Sequence, residues 1–136
     1  MNILQQLTAG LPAFISHLAV ALLVLAVFLF IYLWITPYAE IELIRGGNVA
    51  AAISLSGAMI GFTIPLAKAT AQSGSLLDML VWAGIALVAQ LLAYVAVRLL
   101  FPRIAKDIPE GKIAQGTVLG MLSLATGILN AACMTY

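Results

Sequence analysis

Four long apolar runs, separated by short polar stretches, set the pattern of the chain. The first covers about Leu11 to Ile35 and is unbroken from Ala19 to Leu33. At about 1.5 Å of rise per residue, a helix of this length crosses the ~30 Å hydrocarbon layer of a bilayer with some tilt. The second run covers about Val49 to Ala67, the third Leu76 or Met79 to Phe101, and the fourth Ile113 to Met134. Within three of them the small and polar residues recur at helical spacing. Ala50, Ser54, Gly57 and Gly61 fall on one face of the second, and Ala83, Ala86, Gln90 and Ala93 on one face of the third. Gly116, Gly120, Ser123, Gly127 and Asn130 fall on one face of the fourth. In lipid such stripes let helix backbones approach closely.

The polar stretches predict how the helices end. Pro12 suits a first helical turn, where its missing N–H costs nothing. Thr36-Pro37 breaks the first run, and the alternating acids and aliphatics of residues 38–44 predict a short interfacial helix stopped by Gly46-Gly47. Asn48 is placed to cap the next span. Pro65 and Lys68 mark that span's exit, and Phe101-Pro102 ends the third run before a second charged turn, Arg103 to Lys112. Tyr32, Trp34 and Tyr38 are expected at the membrane interface.

The plan of helix, proline, charged turn and glycine-rich helix occurs twice. Pro37 aligns with Pro102, Gly47 with Gly111, and the small-residue stripes with each other, within a residue or two of one offset. The expected fold is all-α integral membrane: four transmembrane helices as two tandem two-helix repeats in parallel orientation. Repeat one covers about residues 11–70 and repeat two about residues 76–134, in a single membrane domain of residues 1–136.

Composition agrees with the pattern. Only 8% of the residues are charged against about 25% in soluble domains, and 64% are hydrophobic. The net charge of +1 offers nothing to nucleic acid, so the expected partner is the lipid bilayer. Five of the six Lys and Arg residues (Arg45, Arg98, Arg103, Lys106, Lys112) lie at the two charged turns. The positive-inside rule therefore puts both turns in the cytoplasm and both termini outside. The first ten residues carry no Lys or Arg, so the first run reads as a retained span rather than a signal peptide.

The two hairpins, with Gly-Gly-Asn-Val-Ala-Ala-Ala-Ile and Ser-Gly-Ala-Met-Ile-Gly in the first, resemble the YjfL-like family, known as domain of unknown function 350. The pattern Gly47-Asn48-x-Ala50-x-Ala52 is its most specific part, and the second copy departs from it with Lys112 in place of Asn48. The resemblance covers essentially the whole chain. It implies a small bacterial inner-membrane protein with four spans and no agreed activity, in a genomic neighbourhood of membrane-stress and polyamine-related proteins.

Candidate chemistry is sparse. Glu40, Glu42, Asp107 and Glu110 would gather at one mouth if the halves pack around a pseudo-axis, and would there attract a cation. They read first as a solvated interfacial face paired with Arg45, Arg103, Lys106 and Lys112, and second as that mouth. Asn48 reads first as a helix cap and second as a ligand contact. Arg45 and Lys112 read as orientation charges or headgroup contacts. Gln90, on the small-residue face, should point into the bundle as an interhelical hydrogen-bonder or a substrate contact, and Asn130 carries the same two readings. His17 is the lone histidine, and Cys133 reads as a small hydrophobe. No metal cluster, nucleophile–base pair or phosphate loop is present, so neither a cofactor nor an enzyme is expected.

The leading expectation is an oligomeric transporter or channel component for a small cation, a polyamine among the candidates. The alternative is a membrane scaffold that recruits a cytoplasmic stress-response partner at the charged turns. The two glycine stripes, Gly57/Gly61 and Gly116/Gly120/Gly127, suggest a homo-oligomer. One stripe would join the halves and the other would face a second copy.

Overall fold

The first helix begins earlier than its apolar run. In the computed structural model, which describes residues 2–135, α1 runs Ile3–Ile35. The Asn2 side chain accepts from the Gln5 N–H at 2.8 Å, and Gln5 Oε1 accepts from the Asn2 N–H at 3.2 Å. This reciprocal box satisfies two N-terminal donors and starts the helix there. Pro12 consequently lies inside the helix rather than in its first turn. The remaining elements are α2 (Glu40–Arg45), α3 (Val49–Gln72), α4 (Leu76–Leu100), α5 (Ile104–Asp107) and α6 (Ile113–Cys133). The described residues form helices and no strands, and α1, α3, α4 and α6 are long and apolar enough to cross a membrane.

α3 continues past Pro65 and Lys68, which the sequence reading placed at its exit. Lys68 instead reaches across to α6. Its Nζ donates to the carbonyls of Ala131 (2.6 Å) and Met134 (3.1 Å). A cation there meets the negative end of the α6 dipole, and the Ala131 carbonyl accepts from it as well as from the Met134 N–H at 3.3 Å. Tyr32 likewise departs from expectation. It is buried at 1% exposure, whereas Trp34 on the neighbouring face is 79% exposed, because helical spacing turns Tyr32 with Phe28 toward the other helices.

α3 and α6 form the centre of the bundle. A Cβ added to Gly57 would collide with the Gly120 backbone, one on Gly116 with Ala50, and one on Gly127 with the Gly61 carbonyl. These contacts advance together along both chains, so α3 and α6 run in the same direction, backbone against backbone. Pro65 removes the N–H that would bond the Gly61 carbonyl within α3. That freed carbonyl faces Gly127, an arrangement suited to a Cα–H···O contact. Both glycine stripes are thus used against each other, and neither is left over for a second copy.

The turns before α3 and α6 share one geometry. Gly47 (φ 87°) and Gly111 (φ 80°) adopt the left-handed conformation. Asn48 N–H reaches Leu43 O at 2.9 Å and Lys112 N–H reaches Asp107 O at 3.1 Å. Gly47 N–H to Ile44 O and Gly111 N–H to Ile108 O are both 3.0 Å. These paired bonds are a Schellman closure, which glycine permits without strain. The first helices are placed less alike. α4 packs on α3 and α6, whereas α1 packs on α3 and α4.

Substituting Ala for Gly61 or Gly127 should prevent α3–α6 docking and sharply lower the thermal unfolding temperature in detergent. Ala at Gly84, whose Cβ would meet nothing within 4 Å, should leave stability unchanged or raise it by up to about 1 kcal/mol.

Candidate functional site

α2 is six residues long, and helical spacing puts Glu40 on the same face as Leu43 and Ile44. Both aliphatics pack against the core, so Glu40 is carried inward with them, while Glu42 and Arg45 remain exposed. The result is a carboxylate at 1% exposure, set among Tyr32 from α1, Tyr38 from the α1–α2 link, Ser54 from α3 and Tyr94 from α4. Tyr32 and Tyr94 meet edge to face with centroids 5.5 Å apart, and Phe28 stacks on Phe62 at 4.4 Å beneath them.

Five polar atoms in this cluster have no hydrogen-bond partner: both Glu40 carboxylate oxygens and the hydroxyls of Tyr32, Tyr38 and Tyr94. The Tyr38 and Ser54 hydroxyls lie near enough to favour an ionised Glu40. Neither bonds to it in good geometry, and Ser54 gives its proton to Ala51 O at 3.0 Å. Burial outweighs them and pushes the Glu40 carboxyl from its ordinary 4.5 up to about 8. Burial, and then the charge of Glu40, also pushes the Tyr38 phenol up, so it stays a hydroxyl at any physiological pH.

The four acids that would gather at one mouth are not all brought together. Glu40 faces inward. Asp107 is buried on α5 and accepts from Lys112 Nζ at 3.1 Å, a bond that is the main reason the Lys112 ammonium is pushed above its usual range. Lys112 also lies 3.6 Å from Glu110. Only Glu42 and Glu110 share a mouth, an open depression lined by Gly46, Gly47, Asn48 and Pro109. On α2 helical spacing turns Glu40 and Glu42 to opposite sides, whereas Asp107 and Glu110 stay close enough to share Lys112.

Asn48 caps α3 by accepting from the Ala51 N–H at 2.9 Å. Its Nδ2 also donates to the carbonyls of Ile108 (2.9 Å) and Pro109 (3.3 Å), tying the two turns together. Lys112, at the matching position before α6, makes no side-chain cap. Gln90 is buried and donates to Ser123 O at 3.1 Å beside Gly61, leaving its own Oε1 unpartnered. Asn130 Nδ2 lies 3.5 Å from Ala86 O. Cys133 is exposed rather than packed. Among the described residues no cluster could hold a metal ion.

A family model described as Domain of Unknown Function (DUF350) matches residues 6–134. The chain belongs to this family. It is 42% identical over 127 residues, 93% of its length and 96% of the relative's, to the UPF0719 inner membrane protein YjfL of Escherichia coli (strain K12). It is 29% identical over 119 residues to the UPF0719 transmembrane protein YshE of Bacillus subtilis (strain 168), covering 86% of this chain and 89% of that one. No solved structure matches it. This DUF350 chain is accordingly a small inner-membrane protein with four candidate spans.

Sequence reasoning missed Tyr32 and Tyr94 as partners of Glu40. Their signal was present: Tyr94 lies one helical turn beyond Gln90 on the small-residue face of α4, and Tyr32 one turn beyond Phe28 on α1. The same α1–α3 seam continues away from Glu40. Past the Phe28–Phe62 stack it opens into a depression lined by Leu25, Thr63, Leu66 and Thr70, and then into one that includes His17 and Thr70. His17 Nδ1 lies 2.8 Å from Ala13 O in its own helix.

Two outcomes follow. A carboxyl whose pKa rises from 4.5 to about 8 on folding adds stability that is complete below pH 4.5 and is lost as pH rises through 8. The unfolding temperature should therefore fall between about pH 5 and pH 9, and Glu40→Gln should flatten that slope. Asn48→Ala loses the cap and both carbonyl contacts and should lower stability by about 1–2 kcal/mol, measured by denaturant unfolding in micelles.

Proposed function

We propose that the protein is a component of a small-cation transporter or channel, acting as a homo-oligomer and not as an enzyme. On this reading the hairpins are tandem copies, and the charged turns face the cytoplasm. The observation that carries it is Glu40, a carboxylate buried without a partner where the α1–α3 seam meets α2 and α4. An ionisable group held in such a place destabilises the fold, and within membranes such groups mark ion pathways. The α3–α6 seam is closed by touching backbones and leaves no room for a route. The α1–α3 seam carries polar groups at both ends, His17, Thr63 and Thr70 on one side of the Phe28–Phe62 stack and Tyr32 and Glu40 on the other. Its outer depressions are open, and a second copy covering them would enclose the route.

A second reading is supported by a separate observation. Asn48 binds the two turns into one surface on which Glu42 and Glu110 are both exposed, and a basic cytoplasmic partner would dock there. The test is the double change Glu42→Lys with Glu110→Lys, since Glu40 is inaccessible. Recruitment should be lost in pull-downs if the scaffold reading holds, and unchanged pull-downs would end it.

For the transport reading, purified protein in liposomes should move protons, potassium or a polyamine faster than empty liposomes. Glu40→Gln should lower the rate by about tenfold or more. No flux of any of the three above the empty control would contradict it.

A further inference from the structure

We propose that Glu40 and the hydroxyls of Tyr32, Tyr38 and Tyr94 form a proton-binding site, and that the proton is the coupling ion of this membrane protein. The coupling rests on the cation-transport reading above, whereas the proton binding does not.

Size decides the occupant first. Glu40, Tyr32, Phe28, Phe62 and Ser54 are all under 2% exposed, so no water-sized void adjoins them. The five unpartnered oxygens are each closed off as well. A metal ion with its oxygen shell, or an ammonium group, needs space that is absent. A proton needs none.

The chemistry of the ring fits the same occupant. A carboxylate accepts hydrogen bonds only, whereas a carboxylic acid also donates one. A fixed donor such as Lys or Arg would serve one state and repel the other. A hydroxyl donates and accepts, so small rotations of the Tyr38 and Ser54 hydroxyls, which lie nearest the carboxyl, satisfy Glu40 with its proton or without it, while Tyr32 and Tyr94 wall the same pocket. A proton arriving from water adds to one carboxylate oxygen and leaves by the same bond. No other bond changes, and no co-reactant is required.

The charges around the site leave Glu40 free to take up that proton. α1 contributes Tyr32, the link Tyr38, α3 Ser54, and α4 Tyr94 with Arg98. Arg98 is exposed and acts on Tyr94, whose hydroxyl its side chain approaches, and more weakly on Tyr38, and among the described residues no cation stands within ion-pair distance of Glu40. Glu42 and Arg45, on α2 itself, face away. The approach from water is Tyr38, half-buried on the link between the exposed residues Pro37 and Ala39.

The chain has three glutamates, Glu40, Glu42 and Glu110, which makes the test direct. Protein labelled with 13C at the glutamate carboxyl carbons, in lipid bilayers, is titrated by solid-state NMR. One signal should change with a midpoint near pH 8. Glu40→Gln should delete the high-midpoint signal, and Glu42→Gln should not. Tyr38→Phe should move that midpoint further up, because a hydroxyl that favours the ionised form is gone. No signal with a raised midpoint, or a raised one that survives Glu40→Gln, would overturn the proton site. A raised midpoint without proton flux in liposomes would keep the site and overturn the coupling. Flux without a raised midpoint would keep transport and overturn the site.

Discussion

The structure depends on backbone-to-backbone contact between α3 and α6. Lipid supplies no hydrophobic drive to hold two helices together, so their attraction comes from close packing and from weak polar contacts at short range. Glycine at Gly57, Gly61, Gly116, Gly120 and Gly127 removes the side chains that would hold the backbones apart. Everything around the pair supports that approach. Gln90 braces it from α4, Lys68 closes one end, and Asn48 ties the two turns at the other. With both stripes consumed, the fold has one rigid seam, and any oligomer uses a different surface.

α1 stands apart from this arrangement. Phe28 and Tyr32 are its only buried residues, and its first half lies exposed along the outside. The Glu40 cluster sits where α1 does make contact. A lone carboxyl in such a place costs stability unless it is neutral, which is why the same burial that orphans it also raises its pKa. The rigid seam and the polar seam therefore lie on different sides of α3. One holds the bundle together, and the other carries the groups able to exchange a proton.

Much of the fold was legible in the residues. The four spans follow from hydropathy and length, and the glycine faces follow from their four- and three-residue spacing. Helix ends were less legible. Pro12 and Pro65 read as boundaries yet lie inside helices, because Asn2 and Gln5 start α1 earlier and the Gly61 carbonyl freed by Pro65 finds Gly127 instead. The site was the least legible part. Residues 38–44 alternate acids and aliphatics, which reads as a surface strip. Helical spacing instead groups Glu40 with Leu43 and Ile44 and parts it from Glu42. Nothing local showed that Tyr32 and Tyr94, 62 residues apart in sequence, close over it.

On the proposed transport reading, the ion-accessible side of α3 faces α1 and not α6. Thiol accessibility in liposomes tests it most directly, with Cys133→Ser removing the native thiol. Thr63→Cys and Thr70→Cys, on the α1 side, should react with a small water-soluble cationic thiol reagent. Ser123→Cys, on the α6 seam, should not. Reaction of the Ser123 position as fast as the Thr63 position, or no reaction at Thr63 and Thr70, would contradict it.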